Sequence, residues 1–247
     1  MTDLHFEQGP IRPPSEAQSL LLRLTRNCPW NRCEFCHTYK GQKFSLRTVE
    51  EVKNDIDAAA EIAQELKALS WRLGEGGEIT ANLVRFVLES PEGYPDAFRN
   101  IALWIYSGGK NVFLQDANSL VLKTEQMVDV LTTLKETFPT VERITTYARS
   151  KTISKKSVEA LRSLHRAGLS RIHIGLETGY DPLLEHIQKG VTAENTSSRG
   201  GASRIRGFPS QNRWSSDWAA RRCGVNTLSK RRRYSIRSIP ILFESGP

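Results

Sequence analysis

The chain has 247 residues, 38% apolar and 25% charged, the profile of a globular protein with room for one sizeable core. No apolar stretch approaches the ~20 residues that span a bilayer, and the polar first ten residues lack the apolar run of a signal peptide, so the expected location is cytoplasmic. The net charge of +8 would suggest nucleic acid, but residues 196–247 carry eleven Lys and Arg against two acidic residues, while residues 1–195 carry 24 against 25. The body of the chain therefore has no electrostatic reason to bind nucleic acid.

Residues 1–17 read as an irregular lead-in punctuated by Pro10, Pro13 and Pro14. The apolar run at 19–25 predicts a buried strand. Thr48 and Glu51 have the spacing of a capping box. Val49, Val52, Ile56, Ala59, Ile62, Ala63 and Leu66 then recur every three or four residues, which predicts a long helix with one apolar face. Residues 70–108, rich in glycine and mixed in pattern, read as an insertion. From Asn111 strands and helices alternate: a strand over 112–114, a helix over 124–138 with Met127, Val130, Leu131 and Leu134 on one face, and a strand over 143–148. A helix over 154–167 closed by Gly168 follows, then a strand over 171–176. A last helix is capped by Asp181, with Pro182 at its first position and Gly190 past its end. Such alternation implies an α/β fold with a parallel sheet. Four strands are too few for an eightfold barrel, so a partial barrel is expected.

Three of the four cysteines lie within nine residues, Cys28-Pro-Trp-Asn-Arg-Cys33-Glu-Phe-Cys36. In a cytosolic protein such clustering points to metal or redox chemistry rather than disulfides. Three thiolates on one loop can converge on one centre. Iron–sulfur clusters usually take four thiolates, so three leave one iron open to a cofactor or substrate. The alternative is zinc bound by the same cysteines with His37 or another histidine. Zinc ribbons pair two Cys-x-x-Cys knuckles, and the chain holds no second one. With zinc, the protein would be a binding module whose basic tail contacts nucleic acid. Cys223 reads as a small buried hydrophobe.

The cysteine segment resembles the signature loop of radical S-adenosylmethionine (SAM) enzymes. It follows a first strand directly, and an aromatic residue, Phe35, precedes the last cysteine. The gap between the first two cysteines is four residues, where three is commonest in the family. Phe113-Leu-Gln-Asp-Ala-Asn118 and Ile174-Gly-Leu-Glu-Thr-Gly179 also resemble strand ends of this superfamily. They are most similar to those of its branch related to oxygen-independent coproporphyrinogen oxidases and tRNA methylthiotransferases. The resemblance covers residues 15–195 and implies a partial (β/α) barrel with a 4Fe–4S cluster on Cys28, Cys33 and Cys36.

It further implies that SAM chelates the open iron. An electron from a donor such as flavodoxin or ferredoxin then cleaves SAM to a 5′-deoxyadenosyl radical, which acts on a substrate the sequence does not identify. The implied SAM contacts are Phe35, Gln115, Asp116, Asn118, Arg149 and Glu177. Gln115, Asp116 and Asn118 stand where the family binds the SAM amino group, and Glu177 where it places a polar residue on the ribose. Asp116 and Asn118 equally suit turn formation, and His173 reads as an interior histidine. Gly76-Gly77-Glu78 spells a SAM-amine motif of the family without the strand that should precede it. Gly108-Gly109 reads as a turn.

After Asn195 the pattern changes to ten Arg, one Lys and ten Ser in 52 residues, and the periodicities fade. One reading is a disordered Arg/Ser-rich tail. We read it instead as translated from a shifted frame, which would leave the barrel incomplete and the fragment possible as an inactive cluster binder. Moved by one base, Asp217-Trp218 gives Leu whatever the Asp codon, and Ser215 to Arg221 can read Ile-Gly-Leu-Gly-Gly-Thr. Resequencing around codons 190–200 tests this, and an intact frame there overturns it.

Overall fold

Strands and helices alternate in space as they do in the sequence. The structure, a computed structural model, describes residues 4–90, 93–175, 177–196 and 241–242. After the lead-in and a 3-10 turn at Pro14–Glu16 come β1 (Leu20–Arg23), β2 (Thr25–Arg26), β3 (Ser45–Leu46) and α1 (Val49–Arg72). The chain continues through α2 (Ala81–Glu89), α3 (Asp96–Tyr106), β4 (Asn111–Gln115), α4 (Thr124–Thr137) and β5 (Arg143–Ala148). The last elements are α5 (Ser150–Ile153), α6 (Val158–Arg166), β6 (Leu169–Ile174), α7 (Asp181–His186), α8 (Ala193–Thr196) and β7 (Ile241–Leu242).

The main sheet has the order β1-β4-β5-β6-β7. Its first four strands run parallel, with Leu22 opposite Leu114, Val112 opposite Ile144 and Ala148 opposite Ile174. β7 pairs antiparallel with β6. Each step from one parallel strand to the next carries helices, as parallel pairing requires. This is the expected mixed α/β architecture of the partial (β/α) type.

One face of the sheet makes the core. Leu20, Leu22, Val112, Leu114, Ile144 and Ile172 pack with Val52, Ile56, Ala59, Ile62 and Leu66 of α1, with Ile101 of α3, and with Met127, Val130, Leu131 and Leu134 of α4. The helix faces predicted from periodicity are those buried here. α1 starts at the predicted capping box: the Thr48 hydroxyl accepts from the Glu51 N–H at 3.1 Å, and the Glu51 carboxylate accepts from the Thr48 N–H at 2.7 Å. Residues 70–108 hold two helices, α2 and α3, which bring Leu83, Val87, Phe98 and Trp104 into the same core.

Of the helix expected over 154–167, the structure forms α6, which starts four residues later, where Ser157 caps it by accepting from the Ala160 N–H at 3.0 Å; the short α5 lies before that range. Gly168 ends α6 with φ +113°, the left-handed conformation that glycine enters without strain. Gly108 and Gly109 form a turn at positive φ before β4. Gly76 and Gly77 turn the chain after α1. The tail read as out of frame lies outside the described residues, apart from its short strand β7.

The opposite sheet face is mixed. Phe113, Tyr147 and His173 form a row across β4, β5 and β6, with centroids 5.1 Å and 5.8 Å apart. The lead-in lies against this side. Glu16, fully buried, accepts from Ser19 Oγ at 2.6 Å and Arg143 Nη2 at 3.2 Å, and stands 3.8 Å from His173 Nε2. Burial pushes its carboxyl up, but His173, Ser19 and Arg143 together hold it below the usual carboxylate range.

Candidate functional site

The cysteine loop, residues 27–44, leaves the sheet at the end of β1 and is closed at its base by the antiparallel pairing of β2 with β3, Arg26 opposite Ser45. Two asparagines shape it. Asn27 and Asn31 adopt φ of +68° and +45°, a region that Asn tolerates better than most residues. The Asn27 N–H donates to Asp116 Oδ2 at 2.8 Å and its side chain donates to the Lys43 carbonyl at 2.7 Å. The Asn31 N–H donates to Cys28 Sγ at 3.5 Å, and its side chain donates to the carbonyls of Tyr39 and Gln42. The turn around the first cysteine is therefore fixed by residues that flank it.

The far side of the loop is docked on the segment after α7. The Trp30 indole donates to the Gln188 carbonyl at 2.7 Å, and the Glu34 N–H donates to the Ile187 carbonyl at 3.0 Å. Gly190, at φ +69°, has its Cα against the indole, and a Cβ there would stand 2.2 Å from Trp30 Cζ2. The guanidinium carbons of Arg149 and Arg32 lie 4.7 Å and 5.1 Å from the indole centroid, within cation–π range. Lys189 Nζ lies 5.4 Å from the Phe35 centroid and 2.7 Å from Glu177 Oε1.

Cys28, Cys33 and Cys36 are free thiols, each half-buried. Among the described residues, no three Cys, His, Asp or Glu side chains stand at metal-holding distance, yet the thiols are close enough to act on one another's charge. Burial pushes the Cys33 thiol up; Lys189 and Arg149 pull it down, and Cys28 and Cys36 push it up again. Burial also lowers Arg149, opposed by Cys28 and Cys33. Two cations thus face a cluster of soft donors. Thiolates suit iron, sulfide and zinc far better than magnesium or calcium.

The other sequence-predicted residues gather at the same edge of the sheet, each already engaged. Gln115 at the end of β4 accepts from the Gly9 N–H at 2.7 Å and donates to the carbonyls of Gly9 and Ile11. Its amide therefore holds the lead-in. Asp116 is fully buried, and its Oδ2 accepts from Arg23 Nε at 2.9 Å and Nη2 at 2.6 Å. Its Oδ1 has no hydrogen-bond partner. Burial outweighs Arg23 and the Asn27 N–H, and the net effect holds this carboxyl above its ordinary value. Asn118 accepts from the Arg149 N–H at 3.1 Å and donates to Thr152 Oγ1 at 2.8 Å, the turn-forming role its position after β4 allows. Arg149 donates to the Lys189 carbonyl at 2.5 Å. His173 is interior, but its Nε2 makes no hydrogen bond.

The sequence reading missed Lys189, Trp30 and the two asparagines. Asn on both sides of a cysteine was a readable sign of left-handed turns. Trp30 and Gly190 touch across 160 residues, a pairing no local pattern discloses.

No curated protein matches the chain. Among solved structures, the chain is similar to the cobalamin-dependent S-adenosylmethionine radical enzyme OxsB, determined with aqua-cobalamin and S-adenosylmethionine bound. The two share 19% identity with a TM-score of 0.42 over 73% of this chain. The match spans only 21% of that protein. Residues 22–199 match the profile of the Radical SAM superfamily. That match runs from within β1, through the cysteine loop, past α8, and covers most of the chain, which therefore belongs to the radical SAM superfamily.

Proposed function

We propose that this protein is a radical SAM enzyme in which Cys28, Cys33 and Cys36 hold the 4Fe–4S cluster and SAM lies beside it, at the ends of β4, β5 and β6. The cluster and SAM are the cofactors that membership of the superfamily implies. One observation carries the assignment of residues: three half-buried thiols on one closed loop, faced by two cations. This donor set fits an iron–sulfur centre with one iron left to another ligand. Together, the bound cluster and SAM supply a 5′-deoxyadenosyl radical for hydrogen abstraction.

The chain's own residues would bind, orient and shield. Arg149 and Lys189 offset the negative charge that thiolates bring to the loop. Trp30 and Phe35 cover those cations and keep water from them. Glu177, held by Lys189, offers a carboxylate suited to ribose hydroxyls, while the fully buried Asp116 would fix the strand end through Arg23 and the Asn27 N–H. Asn118 sets the backbone from which Arg149 projects. Pro29, Arg32, Glu34 and His37 are exposed, which leaves the loop open to an electron donor such as flavodoxin or ferredoxin.

Anaerobic reconstitution with iron and sulfide, followed by iron counting and EPR with and without SAM, tests this. About four irons per chain are expected, lost in Cys33→Ala, with an EPR signal that changes when SAM is added. Stoichiometric zinc and no cluster would overturn the reading.

A further inference from the structure

We propose that Arg171, with Thr145 and His173 beside it, binds a carboxylate on the sheet face opposite the helices, and that this carboxylate is the acid group of the substrate. The second part rests on the function proposed above; the first stands without it.

The strands fix which side chains share this face. Ile144 and Ile172 pack in the core, so Arg143, Thr145, Arg171 and His173, which alternate with them, point to the other side. The register slips by one residue here: Ile144 stands opposite Leu169, but Thr145 stands opposite Arg171. The Ser170 hydroxyl fills the gap, accepting from the Ile144 N–H at 2.8 Å and donating to the Ile144 carbonyl at 3.1 Å. Such bulges re-aim side chains and recur beside active sites. This one sets Arg171, instead of Ser170, across from Thr145.

Two guanidiniums share the face with one carboxylate. Glu16 already accepts from Arg143 at 3.2 Å and from Ser19 at 2.6 Å. Arg171 is half-buried and makes no ion pair among the described residues. Its Nε is sealed from water without a hydrogen-bond partner. Burial and then the like charge of Arg143 disfavour its charged form, with Glu16 opposing them. A guanidinium keeps its proton in a protein, so the face is short of one anion. Neighbouring polar atoms are unpaired as well. Thr145 Oγ1 and His173 Nε2 are buried without partners, and Nε2 stops 3.8 Å from Glu16 Oε1, beyond hydrogen-bonding reach. A guanidinium fork matches a carboxylate with two parallel bonds, and the hydroxyl and ring nitrogen can donate to the same group. Arg171 stands three residues before the end of β6, about 10 Å from the edge that carries the cysteine loop. An acid held here would bring carbons that far along its chain beside SAM.

Hexanoate and its neutral counterpart hexanamide test the site in the full chain, with and without the cluster. Hexanoate should raise the thermal midpoint as its concentration rises, and hexanamide should not. In Arg171→Gln the apparent Kd for hexanoate should rise about tenfold or more, whereas Lys155→Gln, which removes an exposed charge elsewhere, should leave it unchanged. Equal responses to acid and amide, or an intact hexanoate response in Arg171→Gln, would overturn the site. Should Arg171→Gln fail to fold, Arg171→Lys keeps the charge and loses the fork, and unchanged hexanoate binding in it would be equally fatal. In the reconstituted protein, hexanoate, octanoate or decanoate should speed 5′-deoxyadenosine formation from SAM in the unaltered chain and not in Arg171→Gln. Binding with no such effect overturns the assignment to substrate and leaves the carboxylate site. If no cluster assembles but hexanoate still binds through Arg171, the proposed function fails and the site stands.

Discussion

At the scale of single residues, the site depends on close approaches that tolerate no side-chain atom. Gly190 is the clearest. Its φ of +69° alone would cost an L-residue of order 1 kcal/mol, but the larger penalty is the indole of Trp30 where a Cβ would go. Gly74 separates the two effects, since its φ is +79° and nothing lies within 4 Å of its would-be Cβ. Gly190→Ala is therefore expected to lose about 1–3 kcal/mol more than Gly74→Ala in urea denaturation. It should also lower the iron taken up on reconstitution, which Gly74→Ala should not. Equal losses in the two variants, with equal iron, would mean that the Trp30 dock does not hold the cysteine loop. Gly9 makes a second such approach, to Asp116, and belongs to the lead-in rather than the loop.

At the scale of elements, the sequence was most legible where one period governs a long segment. α1 and α4 each bury one continuous stripe, and their apolar positions repeat every three or four residues for several turns. β4, β5 and β6 are short and parallel, bounded by Gln115, Arg149 and Gly175, so their apolar runs stand out. α2 and α3 were illegible because each is short and carries large apolar side chains on both sides. Leu83 and Val87 are buried on α2 while Phe86 and Leu88 are exposed; on α3, Ile101 is buried while Leu103 and Tyr106 are exposed. The late start of α6 turned on Ser157, whose side chain caps it, while residues 154–157 belong to the connection from α5. The candidate site divides the same way. The cysteines and strand ends were readable because chemistry or local spacing marks them. Lys189 was not, because its role depends on a loop docking against a distant turn.

At the scale of the whole molecule, the lead-in that reads as irregular holds the site edge together. Phe6 is buried in the core, the Glu7 N–H donates to Asp55 Oδ2 at 3.1 Å, and Gly9 is held by Gln115. The Glu7 carboxylate bridges Arg23 at 3.0 Å, Arg26 at 2.6 Å and Arg47 at 3.4 Å. Arg26 in turn meets Glu51 of the α1 cap at 3.0 Å, so lead-in, cysteine-loop base and first helix share one ionic network. Burial pushes the Glu7 carboxyl up, but the Arg26 hydrogen bond and the charges of Arg47, Arg26 and Arg23 outweigh it and hold it below its ordinary 4.5. The Glu51 carboxyl, bonded first by the Thr48 N–H and then by Arg26, is held down to about 2. Both groups have folded values below their unfolded ones, so they bind fewer protons when folded. Their contribution is present above about pH 4.5 and is lost as pH falls through the folded values toward 2. Glu7→Gln should lower the urea midpoint at pH 7 by the equivalent of about 1.5–3 kcal/mol, the range for hydrogen bonds to charged groups, and should flatten the decline below pH 4.5. Removing residues 1–12 should cost more, because the burial of Phe6, about 1.5–3 kcal/mol, and the bonds to Gln115 go as well. A shortened chain with an unchanged midpoint would show that the lead-in rests on the sheet without holding it. A loss in stability accompanied by lower iron uptake would show that the edge carrying Gln115 and Asp116 and the cysteine loop fold as one unit.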